Sequence, residues 1–118
     1  MSLRINRVNK ESEYLSISVL SDCNLSSFAI LDKTFSKDGN ISNIHKHIYR
    51  FPNKEVIKGQ VIFLYTKKGK YHFKDDNPLV PKGIHVFYMN LDVPIWNNDE
   101  TDCATLWKIE DSEDKKAE

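Results

Sequence analysis

Apolar and polar positions alternate through most of the chain. Between Tyr14 and Leu20, the apolar Leu15, Ile17 and Val19 interleave with Ser16 and Ser18, a period of two that turns one side of an extended strand to a core and the other to water. Residues 3–8 alternate less strictly, and residues 28–31 form a short apolar run closed by Asp32. Both predict strands. Residues 48–51 predict another, ended by Pro52 and Asn53, and residues 61–66 are β-branched or aromatic throughout, as befits a strand buried on both faces at the centre of a sheet. The run Lys67-Lys68-Gly69-Lys70 reads as a hairpin loop into residues 71–73, where Tyr71 and Phe73 share one face and His72 takes the other. Residues 84–88 and 104–109 supply two more strands, separated by an Asn- and Asp-rich turn around 97–99.

Asp38-Gly39-Asn40 is a turn signal, and residues 40–47 are polar enough for a loop. No long window carries a helical period. Seven to nine short strands with closely spaced turns predict an all-β fold, an antiparallel sandwich or barrel. Its core candidates are Leu15, Ile17, Val19, Phe28, Ile30, Phe51, Val61, Phe63, Leu106 and Trp107. One domain is expected over residues 1–110, followed by a charged, disordered tail over 111–118.

Composition narrows the class. At 118 residues, 40% of them hydrophobic, with four Gly and four Pro, the chain suits one ordinary folded domain. Its longest apolar runs fall far short of the roughly 20 residues of a membrane span, and the N-terminus lacks the apolar stretch of a secretory signal. A cytoplasmic protein, or a domain excised from a longer one, is the expectation. Cys23 and Cys103 lie 80 residues apart, without the spacing of a zinc or redox site, and are expected to carry no disulfide.

Candidate chemistry is sparse. His45 and His47 are two residues apart, but no motif supplies the further ligands of a zinc site, so they read as solvated loop histidines. Asp75, Asp76 and Asn77 read as a turn before Pro78 rather than a calcium loop. No nucleophile elbow, phosphate loop or metalloprotease motif is present. Neither enzyme activity nor a metal or cofactor is expected.

Charge gives the strongest hint. Seventeen Lys plus Arg balance seventeen Asp plus Glu, yet residues 45–74 hold eight cations (Lys46, Arg50, Lys54, Lys58, Lys67, Lys68, Lys70, Lys74) against Glu55 alone. Residues 92–118 hold nine acids against three cations. The neutral total is a cancellation. Within the basic stretch Lys67, Lys68, Lys70, His72 and Lys74 interleave with Tyr71 and Phe73, a composition that meets phosphates and stacks on bases. These five are the candidate anion-binding residues. Lysines that keep a sheet edge from pairing would give the same composition. The acidic tail is a candidate competitor that folds back over the basic loops.

Late in the chain Trp96 is a large apolar anchor, and Asn97 and Asn98 tolerate left-handed backbone and bond their own main chain, so the three read as a structural turn.

Three segments, in order, resemble the lamin tail domain family. Residues 24–32 (Asn-Leu-Ser-Ser-Phe-Ala-Ile-Leu-Asp) are similar to its "DLSGW.L.D" strand, with Ser27 for Gly and Phe28 for Trp. Residues 49–53 and 56–61 resemble "Y.FP.G..L.PGE.V", with Lys58 for Pro and Gln60 for Glu; residues 94–99 and 104–106 resemble "P.WNN.GDTA.L". Residues 100–103 replace the usual Gly-Asp turn, and residues 67–92 are longer and more polar than the family's hairpin. The resemblance implies an immunoglobulin-like sandwich acting as a non-catalytic interaction module, whose partners are proteins, nucleic acid or the parent chain. The leading expectation is therefore a binding module that contacts an anionic partner through its basic loops. The alternative is a purely structural or protein-interaction domain that works through sheet edges or self-association, without nucleic acid.

Overall fold

The computed structural model describes residues 1–34, 47–96, 102–111 and 113–117. They form an all-β sandwich. The strands are β1 (Leu3–Asn9), β2 (Tyr14–Val19), β3 (Cys23–Asn24), β4 (Phe28–Thr34), β5 (Ile48–Arg50), β6 (Glu55–Val56), β7 (Val61–Tyr65), β8 (His72–Lys74), β9 (Ile84–Tyr88) and β10 (Asp102–Lys108). A five-stranded sheet has the order β1-β2-β7-β9-β8, a three-stranded sheet the order β10-β4-β5, and β3 pairs with β6. A 3-10 turn, Leu25–Ser27, feeds β4, capped by the Asn24 side chain, which accepts the Ser26 N–H at 2.9 Å. No helix among the described residues is long and apolar enough to cross a membrane.

Each strand expected from the alternation falls on an observed strand, and the short β3–β6 pair is added to them. The large sheet departs from a purely antiparallel arrangement, because β7 and β9 run parallel, from Val61↔Ile84 to Tyr65↔Tyr88. The 67–70 loop therefore does not close a hairpin between neighbours. It leads to β8, which pairs antiparallel with the far side of β9. Burial accounts for this order: Ile84, His85, Val86 and Phe87 are all buried, whereas β8 holds only half-buried or exposed residues. The strand that is apolar on both faces takes the interior, and the polar one takes the edge.

The core lies between the two sheets. Leu3, Leu15, Ile17, Val19, Ile62, Leu64 and Phe87 from the large sheet meet Phe28 and Ile30 from the small one, with Leu25, Phe51, Val56, Ile95 and Trp96 filling the ends. Each fully buried Leu or Ile contributes about 1.5–3 kcal/mol relative to exposure. Three expected core residues lie elsewhere. Val61 and Phe63 sit on the outer side of β7, half-buried, because Ile62 and Leu64 take the core side. Trp107 is 50% exposed, since Ala104 and Leu106 form the inward row of β10.

Candidate functional site

The outer face of the large sheet follows from its registers, because directly paired residues share a face. Leu15, Ile17 and Val19 point inward, so Tyr14, Ser16 and Ser18 point outward. Their partners are Tyr65, Phe63 and Val61, and across the parallel pair come Tyr88, Val86 and Ile84. On β8, His72 pairs with Val86 and Lys74 with Ile84. On β1, Arg4 pairs with Ser18 and Arg7 with Ser16.

Three residues apart, Arg4 and Arg7 would face opposite ways on a regular strand. A bulge between Ile5 and Arg7 inserts Asn6, whose side chain donates to Ser18 Oγ at 2.6 Å, and this turns Arg7 to the same face as Arg4. The face thus has three rows. Arg4, Ser18, Val61, Ile84 and Lys74 form one; Arg7, Ser16, Phe63, Val86 and His72 form the next; Asn9, Tyr14, Tyr65 and Tyr88 form the third. Two rows begin and end on basic residues. Tyr14 packs on Phe63 and Tyr65 at tilts of 46° and 42°, and Tyr65 stacks on Tyr88 with centroids 5.5 Å apart. Burial pushes the Tyr65 hydroxyl above its ordinary value, with smaller contributions from Tyr14 and Tyr88.

Of the five candidate anion-binding residues, Lys67, His72 and Lys74 lie at the rim of this face, and Lys68 and Lys70 belong to the adjoining loop. Lys67 Nζ lies 5.0 Å from the Tyr65 ring centroid, a cation–π contact. His72 and Lys74 point outward from β8, and the His72 ring approaches Tyr88 at 6.0 Å. The Lys70 carbonyl accepts from His72 Nδ1 at 3.1 Å. Lys68 pairs with Asp92 at 2.9 Å, but both side chains are highly exposed, so water and salt weaken the pair. The loop is pinned where the Gly69 N–H donates to Asn90 Oδ1 at 3.0 Å, and the Tyr88 ring occupies the space a Gly69 side chain would need.

The rest of the basic stretch disperses. Arg50 belongs to the small sheet, its Nε donating to the Ser26 carbonyl at 3.1 Å. Lys54 Nζ lies 4.7 Å from the Tyr71 ring centroid, and the Lys58 N–H donates to Asp22 Oδ1. His45 and Lys46 lie outside the described residues, as do Asn97 and Asn98 of the expected turn. Trp96, the anchor of that turn, is 1% exposed, and its N–H is held by Glu13. His47 is no freely solvated loop residue: its N–H donates to Asp32 Oδ1 at 2.7 Å and its Nδ1 lies 3.3 Å from Oδ2. Glu110 and Asp111, at the start of the acidic tail, share an open recess with Ser26, Ser27 and Arg50. Their described neighbour is thus a small-sheet cation rather than the 67–70 loop.

Beneath the β8 edge, His85 is 4% exposed. Its Nε2–H donates to Gln60 Oε1 at 2.8 Å, because the amide oxygen can only accept, and its Nδ1 lies 2.8 Å from the Tyr71 hydroxyl, which donates to it when the ring is neutral. Burial, and secondarily the charge of Lys54, hold its pKa below the ordinary histidine value. Cys23 and Cys103 lie on β3 and β10, in different sheets. Burial, then the nearby Glu55 and Asp22, raise the Cys23 thiol. Among the described residues no group of three or more His, Cys, Asp or Glu is placed to hold a metal ion.

Comparison with models of known protein families, with curated proteins and with solved structures finds no match. The site is therefore argued from its own geometry. Sequence reasoning missed Arg4, Arg7 and the row of tyrosines at 14, 65 and 88. The only signal for the tyrosines was the apolar character of both faces of β7.

Proposed function

We propose that this chain is a non-catalytic interaction module of the lamin-tail type that holds an anionic partner against the outer face of its large sheet and the adjoining 67–70 loop. One observation carries the reading: none of the five strands of that sheet contains an Asp or a Glu, whereas Arg4, Arg7 and Lys74 point out from its two edge strands. The small sheet mixes signs instead, with Asp32 on β4 against Arg50 on β5 and Lys108 on β10. This segregation, with Lys67, Lys68 and Lys70 on the adjoining loop, favours phosphates or carboxylates over a neutral partner.

Binding of a labelled polyanion at low salt tests the reading. The Lys67→Ala/Lys68→Ala/Lys70→Ala variant should bind more weakly, and the slope of log affinity against log salt should fall by about two. Absence of binding at low salt, or an unchanged slope in the variant, sinks it. A second reading, docking through the small sheet, draws support from Ile48 on the β5 edge, 66% exposed, and Trp107 on the β10 edge, 50% exposed. A salt-insensitive dimer in sedimentation would favour that alternative.

A further inference from the structure

We infer that the partner on the outer face is single-stranded nucleic acid, its bases laid over the aromatic and apolar centre and its phosphates reaching the basic edges. The inference rests on the anionic-partner reading and narrows it. Charge alone would suit any polyanion, but the charge here is peripheral: Arg4 and Arg7 stand on β1, and His72 and Lys74 on β8, about 19 Å away across four strand spacings. Between them lie the half-buried rings of Phe63, Tyr65 and Tyr88, with Val86 buried beneath them.

An acidic peptide or polysaccharide would satisfy the edges and leave that centre without a partner. A duplex offers phosphates almost everywhere and keeps its bases stacked inside, so a broad sheet face would press apolar side chains against charge, with no helix or ribbon to enter a groove. A single strand alone presents both chemistries at once, flat unpaired bases and a charged backbone. The Tyr14 and Phe63 rings, half-buried, pack against each other with centroids 5.4 Å apart and keep surface for a base. Lys67, already over the Tyr65 ring, stands where it can meet a phosphate without leaving the aromatic row. Ser16 and Ser18 add hydroxyls between the arginines and the rings.

The test measures anisotropy of the full chain with labelled oligothymidylate and oligouridylate, a duplex of equal length, and heparin as a polyanion without bases. Single strands should bind about ten-fold or more tightly than duplex or heparin at the same salt. Arg4→Ala/Arg7→Ala, at exposed positions, should lower the single-strand salt slope by about one to one and a half. Tyr14→Ser should weaken single-strand binding about ten-fold at unchanged slope, and Tyr14→Phe should keep it. Unfolding midpoints of all variants establish that they fold, and the arginine pair carries the test even where the serine variant does not.

If heparin and duplex bind as tightly as single strands, this inference falls while the anionic-partner reading stands. No binding to any of them removes both. A dimer dispersed by Arg4→Ala/Arg7→Ala would assign the face to a second copy of the chain and overturn the inference.

Discussion

The carboxylate of Glu13 grips the main chain at Trp96: the Trp96 N–H lies 3.1 Å from Oε2 and the Ile95 N–H 2.6 Å from Oε1. Glu13 closes the turn between β1 and β2 with φ at 52°, a left-handed conformation that non-glycine residues seldom adopt. It also receives the Thr66 hydroxyl at 3.4 Å. One side chain thus fastens the β1–β2 turn to the buried tryptophan and to the end of β7.

Glu13→Ala should destabilise the fold by about 2–3 kcal/mol, because the two amides lose a charged acceptor in a half-buried setting. Glu13→Gln keeps one acceptor oxygen and should recover part of the loss. Urea unfolding midpoints give both values. An alanine variant as stable as the parent would mean that the contact holds nothing together.

His85 makes stability depend on pH. Its folded pKa lies below the ordinary value of 6.5, first through burial and then through Lys54, so the unfolded chain binds this proton more readily. Stability from His85 is therefore complete above about pH 6.5 and falls as pH drops from there toward the lower folded value. Urea midpoints at about pH 7.5 and about pH 5.5 should show the loss. His85→Gln, which cannot titrate, should show a smaller one. Equal losses in the two proteins would assign the pH dependence to other groups.

Gly83 faces a double constraint. Its φ is +107°, and a Cβ built there would lie 2.1 Å from the Phe73 ring. That ring packs on His85 with centroids 4.8 Å apart and helps seat the edge strand β8. Gly83→Ala should cost about 2–4 kcal/mol from strain and overpacking together. It should also raise amide exchange in β8 more than in β2. A neutral effect on both would show that Phe73 swings aside at no cost.

The strands were legible because period two survives in most of them, clearest where serines separate Leu15, Ile17 and Val19. The order of the large sheet was not, since sequence adjacency favours a β7–β8 hairpin and only the burial of β9 on both faces displaces β8 to the edge. Nor was the bulge at Asn6, which decides whether Arg7 joins Arg4: its mark is the polar pair Asn6-Arg7 between Ile5 and Val8, where the alternation loosens without saying which way Arg7 turns. Trp107 is an expected core residue, yet Ala104 and Leu106 already supply the inward row of β10. Of the candidate site, the charge run from Lys67 to Lys74 was visible, whereas Phe63 reads from the sequence as core and lies half-buried on the outer face.

That difference arises in β7, where Val-Ile-Phe-Leu-Tyr is apolar at every position and alternation carries no phase. The partners set it: Ile17 pairs with Ile62 and Leu15 with Leu64, so the row continuing the buried side of β2 goes inward. Threonine substitutions read the phase directly. Ile62→Thr puts a hydroxyl into a site with no exposure and should cost about 2–4 kcal/mol. Val61→Thr, nearly isosteric and half in solvent, should cost less than about 1 kcal/mol. The reverse order would set β7 in the opposite phase, drawing Phe63 and Tyr65 into the core, and a face without those rings could not serve as the aromatic platform argued above.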